Sequence, residues 1–278
     1  MATRAPSTPQ APLSSGAPRS LTPGDEAAAE ALASLDYGEA PQVGILGDTG
    51  TGKTEAARRL IELYLRKSPG WALVVDDKEL RPRYDGQLRR DVEDLVAHPV
   101  DPRGRRVVIF RGDPSAGIAA DPEEVAELAW KRVARRRVSL IVHDELVAGR
   151  ADFIKSRQWR KGIVYMPKSF TLGRSPGVGD LWAAQSPQEV PIDPFEQSHC
   201  ILCFRLAGLG LETLRARNYL NGGAELVIPQ LHGPPLPPQE RGDFVLLRRG
   251  QPWNGKVYKF GLLPRAAGAA NDNALEAA

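Results

Sequence analysis

The run GDTGTGKT, Gly47 to Thr54, sets glycines, a lysine and a hydroxyl at the spacing G-x-x-x-x-G-K-[ST]. That spacing suits a phosphate. Glycine permits tight turns and close backbone approach to an anion. A helix starting behind the loop offers unpaired N–H groups. Lys53 is the residue to reach the outer phosphates, and the Thr54 hydroxyl is the ligand for Mg²⁺. The candidate nucleotide-binding segment is thus Gly47, Asp48, Thr49, Gly50, Thr51, Gly52, Lys53 and Thr54. The competing reading is a glycine-rich turn with a surface lysine, and the flanks decide between them. Val43–Leu46 is a short apolar run before the loop, as for a buried strand. After it, Ala57, Leu60, Ile61 and Tyr64 recur at helical spacing, and Ser68-Pro69-Gly70 stops that helix.

A second acidic signature follows another apolar run, in VSLIVHDE. It puts Asp144 and Glu145 at the C-terminal edge of a sheet, where ligands of open α/β sheets sit. There Asp144 holds Mg²⁺, directly or through water, and Glu145 orients and deprotonates an attacking water. Paired acids also cap helices, but coupled to GDTGTGKT they read as the metal ligand and general base of ATP hydrolysis. No N-K-x-D segment for reading guanine is present. His143 beside the acids is either a tuner of them or a packed strand-end histidine.

The elements needed to position these groups are legible. Strands are expected at Trp71–Val75, Val107–Phe110, Val138–Val142, Leu181–Ala184 and Cys200–Phe204. A helix is expected from Asp121-Pro122-Glu123-Glu124 to Arg135–Arg137, with acids at its start and cations at its end. Another is expected near Gln87 to Ala97, and a short one over Asp25–Leu35. Strands alternating with helices predict an α/β fold with a mainly parallel sheet covered on both faces. The proline-rich LHGPPLPPQE precedes a final antiparallel pair, Asp243–Leu247 and Lys256–Phe260. The expected organisation is a flexible arm over 1–22, a short helix or linker over 23–36, the ATPase domain over 37–265 with its start near Tyr37, and a frayed tail over 266–278.

Composition narrows the classes. The chain has 278 residues and a net charge of +3, too mild to announce nucleic acid by itself. No apolar run approaches a membrane span, and the first twenty residues lack the apolar core of a secretory signal. Two cysteines suggest a reducing compartment. Cys200 and Cys203 fall on opposite faces of a strand and, with His199 and no second pair, do not make a zinc site.

Taken together, GDTGTGKT, VVDDK, LIVHDEL and GRSPGVGDLWAAQSPQEVP resemble the FtsK–HerA superfamily of DNA-pumping ATPases over residues 40 to 220. The resemblance implies a RecA-like (ASCE) P-loop NTPase fold with a small C-terminal β addition. In AAQSP it assigns Gln185 as the γ-phosphate sensor, with Ser186 departing from the usual residue before the proline. The compact chain is most like the genome-packaging ATPases of membrane-containing double jelly-roll phages and archaeal viruses. That implies ATP and Mg²⁺ as cofactors and double-stranded DNA as partner. It also implies a ring of identical subunits, a hexamer by the family pattern, acting at a capsid vertex. The setting is then the host cytoplasm or the virion's packaging vertex. Alternatives are a HerA-like helicase or DNA-transfer motor, and a nucleotide-dependent phage assembly factor that does not move DNA.

A ring ATPase needs a cation at its neighbour's γ-phosphate. Arg174 in TLGRSPG and Arg205 in CFRL are equal candidates for that finger or for a sensor in cis, and Arg150 is a third. The stretch Gly149–Ser175 is the DNA-contact candidate, carrying Arg150, Lys155, Arg157, Arg160, Lys161 and Lys168 against one acid, Asp152. Such cations grip phosphates without reading sequence. Its aromatics pack the segment down, and the competing reading is a solvated basic surface. The cluster Arg132, Arg135–Arg137 is explained by the end of a helix dipole.

Overall fold

Alternate residues of each interior strand feed two separate apolar layers, one on either face of a single sheet. The computed structural model describes residues 23–37, 39–76, 84, 86–89, 106–110, 122–133, 139–146, 165–173, 177–234 and 242–260. The strands run in chain order as β1 Gln42–Leu46, β2 Trp71–Val75, β3 Gln87–Arg89, β4 Val107–Phe110, β5 Ser139–Asp144, β6 Val178–Ala184, β7 Cys200–Cys203, β8 Asp243–Leu247 and β9 Tyr258–Lys259. Their order across the sheet is β3-β4-β2-β5-β6-β1-β7-β8-β9. Every pairing from β3 to β7 is parallel, and β8 and β9 add on antiparallel. The expected C-terminal β addition is this pair.

The helices are α1 Pro23–Ala31, α2 Lys53–Lys67, α3 Pro122–Val133, α4 Tyr165–Leu172, α5 Ile192–Gln197, α6 Leu209–Ala216 and α7 Ala224–Val227. On one face Val43, Ile45, Val74, Leu140, Val142 and Leu202 pack with α1 and α2. On the other Leu73, Val75, Ile141, Trp182, Ile201 and Cys203 pack with residues of α3, α4, α5 and α6. A parallel sheet covered on both faces buries both sets of side chains, which is why its strands read as apolar runs and not as alternations.

Three sequence expectations change. First, β3 begins at Gln87, where a helix was expected to start. Gln87, Leu88 and Arg89 instead pair in parallel with Val108, Ile109 and Phe110, and the ladder outweighs a weak helical pattern. Second, the packed unit starts before Tyr37. Ala27, Ala28, Ala31 and Leu32 are buried against the core, and Arg59 of α2 donates to Asp25 of α1 at 2.5 Å. Alanines let α1 approach closely. Third, β6 starts three residues before Leu181, because Gly179 and Asp180 interrupt the apolar run that marked it. The arm over 1–22, the tail over 266–278 and the Arg135–Arg137 cluster lie outside the described residues.

Two contacts tie the helices down. Arg106 donates to the carbonyls of Leu65 and Ser68 and, at 3.3 Å, of Gly70, placing a cation at the C-terminus of α2. The Glu123 carboxylate accepts the N–H groups of Tyr165 and Met166 at 2.7 and 2.8 Å, capping the positive end of α4.

Candidate active site

The phosphate loop joins β1 to α2, and the order of strands decides what faces it. The strand carrying the acids, β5, is not the neighbour of β1; β6 lies between them. Ala184 pairs with Leu46, and Ala183 pairs with Asp144. The residue that follows β6, Gln185, is therefore delivered between the loop and the acidic pair.

The loop is pinned at both sides. Asp48 N–H donates to the Arg205 carbonyl at 2.8 Å, and the Thr51 hydroxyl donates to the Asp48 carbonyl at 2.8 Å. Gly52 has φ 110, a left-handed conformation that a side chain would strain, and it opens α2 directly. The Lys53 ammonium is 8% exposed and turns back into the loop, donating to the carbonyls of Gly47 at 2.7 Å and Asp48 at 2.8 Å. The charge is thus held at the loop's centre by its own backbone.

At the start of α2 the Thr54 hydroxyl donates to Asp144 Oδ1 at 3.3 Å. Asp144 is the last residue of β5 and is 5% exposed. A hydroxyl and a carboxylate, both hard oxygen donors within reach of one small cation, fit Mg²⁺, which takes one or two protein oxygens and completes its shell with water and phosphate.

Glu145 follows with φ 121, a positive value that is an outlier for a residue with a side chain. Its carboxylate accepts twice from Gln185: Oε2 from the side-chain Nε2 at 2.7 Å and Oε1 from the backbone N–H at 3.2 Å. The Thr49 hydroxyl donates in turn to Gln185 Oε1. The loop, the sensor candidate and the general-base candidate are one connected chain of hydrogen bonds.

His143 points into a buried polar cluster. Its Nε2 lies 3.4 Å from Asp180 Oδ1 on β6, and Asp180 accepts from Ser169 of α4 at 3.1 Å and from Gln42 of β1 at 3.3 Å. Burial pushes the Asp180 carboxyl above the usual aspartate range, while its hydrogen bonds pull the other way. Sequence reading missed Asp180; the signal was a lone acid inside the apolar VGDLWAA. Cys200 and Cys203 belong to opposite layers, both buried. Burial pushes the Cys200 thiol up to about 12 and Cys203 up as well, so both stay protonated.

Of the arginine candidates, Arg205 alone is described. Its Nη1 donates to the Pro234 carbonyl at 2.9 Å, and a Cβ on Gly233 would lie 2.9 Å from Arg205 Cδ and 3.5 Å from Thr51 Cγ2. Arg205 therefore flanks its own phosphate loop. Lys168 lies over the rings of Tyr165 and Trp130, at 5.1 and 5.9 Å from their centroids. Phe170 is fully buried, as expected for an aromatic that packs its segment down. Arg150, Lys155, Arg157, Arg160, Lys161 and Arg174 lie outside the described residues.

With this geometry in hand, similarity to solved structures is informative. The genome packaging NTPase B204 from Sulfolobus turreted icosahedral virus 2, in complex with ATPγS, superposes with a TM-score of 0.56 at 14% identity, covering 79% of this chain and 97% of that one. B204 from Sulfolobus turreted icosahedral virus, described as a DNA-packaging ATPase, superposes with a TM-score of 0.54 at 15% identity over the same shares. The chain has their fold. It is a P-loop ATPase fold of the kind that the sequence resemblance implied, with the C-terminal antiparallel strands in place. No protein-family model matches the chain, and no curated protein matches it by sequence. Among the described residues no helix is long and apolar enough to cross a membrane.

Proposed function

We propose that this chain is an ATP-hydrolysing motor that moves double-stranded DNA, of the genome-packaging type. One observation carries the reading: the ends of β1, β5 and β6 bring Lys53, Thr54, Asp144, Glu145 and Gln185 to one edge of the sheet, where Lys53 donates to the loop carbonyls, Thr54 to Asp144, and Gln185 to Glu145 while accepting from Thr49 of the loop. The fold shared with the B204 packaging ATPases supports the choice of motor.

In this reading Lys53 exchanges its backbone carbonyl partners for the β- and γ-phosphate oxygens and neutralises charge there. Thr54 and Asp144 hold Mg²⁺, which draws negative charge from the phosphates when bound. Glu145 accepts a proton from the attacking water and fixes its line of approach. Gln185 touches both the base and the loop, so loss of the γ-phosphate is felt at β6. Arg205, on the flank of its own loop, acts in cis, and Arg174 and Arg150 remain as candidates for the finger in trans. The segment over 149–175 grips DNA phosphates, and the working assembly is a ring, a hexamer, docked at a capsid vertex.

The test is steady-state ATP hydrolysis with and without linear duplex DNA, at two salt concentrations, beside Glu145→Gln. Turnover that DNA stimulates, that fades with salt, and that falls by about 10²-fold or more in the variant supports the motor. Hydrolysis indifferent to DNA favours the assembly factor and overturns the motor.

A further inference from the structure

We infer that Thr49, a loop residue at one of the unspecified positions of the phosphate motif, is a positioning residue for the general base and acts through Gln185. The inference rests on the reading of Glu145 as that base, and it deepens it.

The argument is one of donors and acceptors. An ionised carboxylate only accepts hydrogen bonds, whereas a primary amide has one accepting oxygen and one donating nitrogen. Glu145 Oε2, at 2.7 Å, must therefore face the amide nitrogen of Gln185. The amide oxygen is then turned to the other side, where the Thr49 hydroxyl meets it. A hydroxyl facing an oxygen that only accepts must donate. The carboxylate thus sets which way the Gln185 amide points, and the Thr49 hydroxyl anchors the amide oxygen to the loop, which keeps the amide nitrogen beside Glu145.

The position has consequences for Glu145 in particular. Its backbone is held at φ 121, which local preference does not favour. Two hydrogen bonds from Gln185, one from the backbone and one from the side chain, meet its carboxylate there. Removal of the Thr49 hydroxyl cuts the amide oxygen loose from the loop and lets the Gln185 side chain swing away from the carboxylate. Once the side-chain bond is lost, the Gln185 backbone bond is left to hold the carboxylate without it and opens more readily. Thr49 itself sits on a rigid base, because the neighbouring Asp48 is tied to the Arg205 carbonyl and to Thr51. The loop that receives the phosphates is in this way wired to the carboxylate that activates water.

The experiment uses the full chain and compares Thr49→Val, Thr49→Ser, Gln185→Ala and the Thr49→Val/Gln185→Ala double variant. The expected result is a kcat about tenfold or more below wild type in Thr49→Val, from misplacement of the base. KM for ATP and affinity for N-methylanthraniloyl-ADP are expected to move by no more than about twofold, since uniform binding is untouched. Thr49→Ser restores kcat, and Thr49→Val adds nothing in the Gln185→Ala background. A rise in KM with weaker nucleotide binding and unchanged kcat overturns the inference, as do additive losses in the double variant. Amide hydrogen exchange of the peptide around Gln185 in nucleotide-free protein gives a readout independent of turnover. Faster exchange in Thr49→Val, reversed in Thr49→Ser, supports the wiring; equal exchange in all variants overturns it. If wild type hydrolyses no ATP, the general-base reading fails, and the exchange result alone then decides whether Thr49 holds the clamp.

Discussion

The Thr54 hydroxyl donates to Asp144 Oδ1 at 3.3 Å, joining residues ninety positions apart across the gap between α2 and β5. This pair is what fits Mg²⁺. Removing one of its two oxygens weakens the metal more than the nucleotide, because Lys53 and the loop backbone still hold the phosphates. Thr54→Val is expected to leave binding of N-methylanthraniloyl-ADP in EDTA within about threefold of wild type and to lose most of the tightening that Mg²⁺ brings, since a dedicated protein ligand to Mg²⁺ is one of very few. Titrations with and without Mg²⁺ read this directly. Equal tightening in variant and wild type would place the metal elsewhere.

The ion pair between Arg59 and Asp25 holds α1 on α2, with both side chains almost fully buried. The Asp25 hydrogen bond raises the Arg59 pKa most, against desolvation, with Glu62 adding to it. Asp25→Ala leaves the guanidinium buried with only Glu62, and is expected to cost about 3 kcal/mol of unfolding free energy. Paired replacement by Asp25→Leu and Arg59→Met recovers most of that loss, because the uncompensated charge is gone. Urea unfolding of the three proteins measures both numbers. A single variant as stable as wild type would mean that α1 does not belong to the cooperative unit.

Asp180 makes stability depend on pH with a defined sign. Its folded pKa is raised by burial, so the folded chain holds this proton more tightly than the unfolded chain does. The resulting stabilisation is fully present below the ordinary aspartate range and is lost as pH rises through the raised folded value. The groups that face it are His143, Ser169 and Gln42. Glu127, whose carboxyl the Lys131 hydrogen bond holds below its ordinary value, shifts in the opposite direction, so the quantity to measure is a difference. The Tm of wild type minus that of Asp180→Asn is expected to grow as pH falls from 8 towards 5, by about 2–4 °C per kcal/mol of retained proton linkage. A difference that is flat, or that shrinks towards acid, contradicts the assigned shift.

Much of this molecule is readable from local sequence because the relevant physics is local. The phosphate loop, its strand and its helix are contiguous, and eight residues carry both the turn chemistry and the anion chemistry. The buried parallel strands announce themselves as apolar runs because both of their faces are covered. What tertiary structure decided is everything that depends on which strand lies beside which. The insertion of β6 between β1 and β5 is a fact of the sheet, and it alone puts Gln185 against Glu145 and Thr49. The same holds for Asp180, whose partners come from β1, β5 and α4, and for Asp25, a residue on an alanine-rich helix until Arg59 closes on it. Local preference also lost at Gln87, where pairing with β4 made a strand. Sequence by itself determined the chemistry available to this protein, since residue types and short spacings do not depend on the fold. The sheet order determined which of those groups meet, since hydrogen bonds act over a few ångströms while the residues that make them lie up to 157 positions apart along the chain.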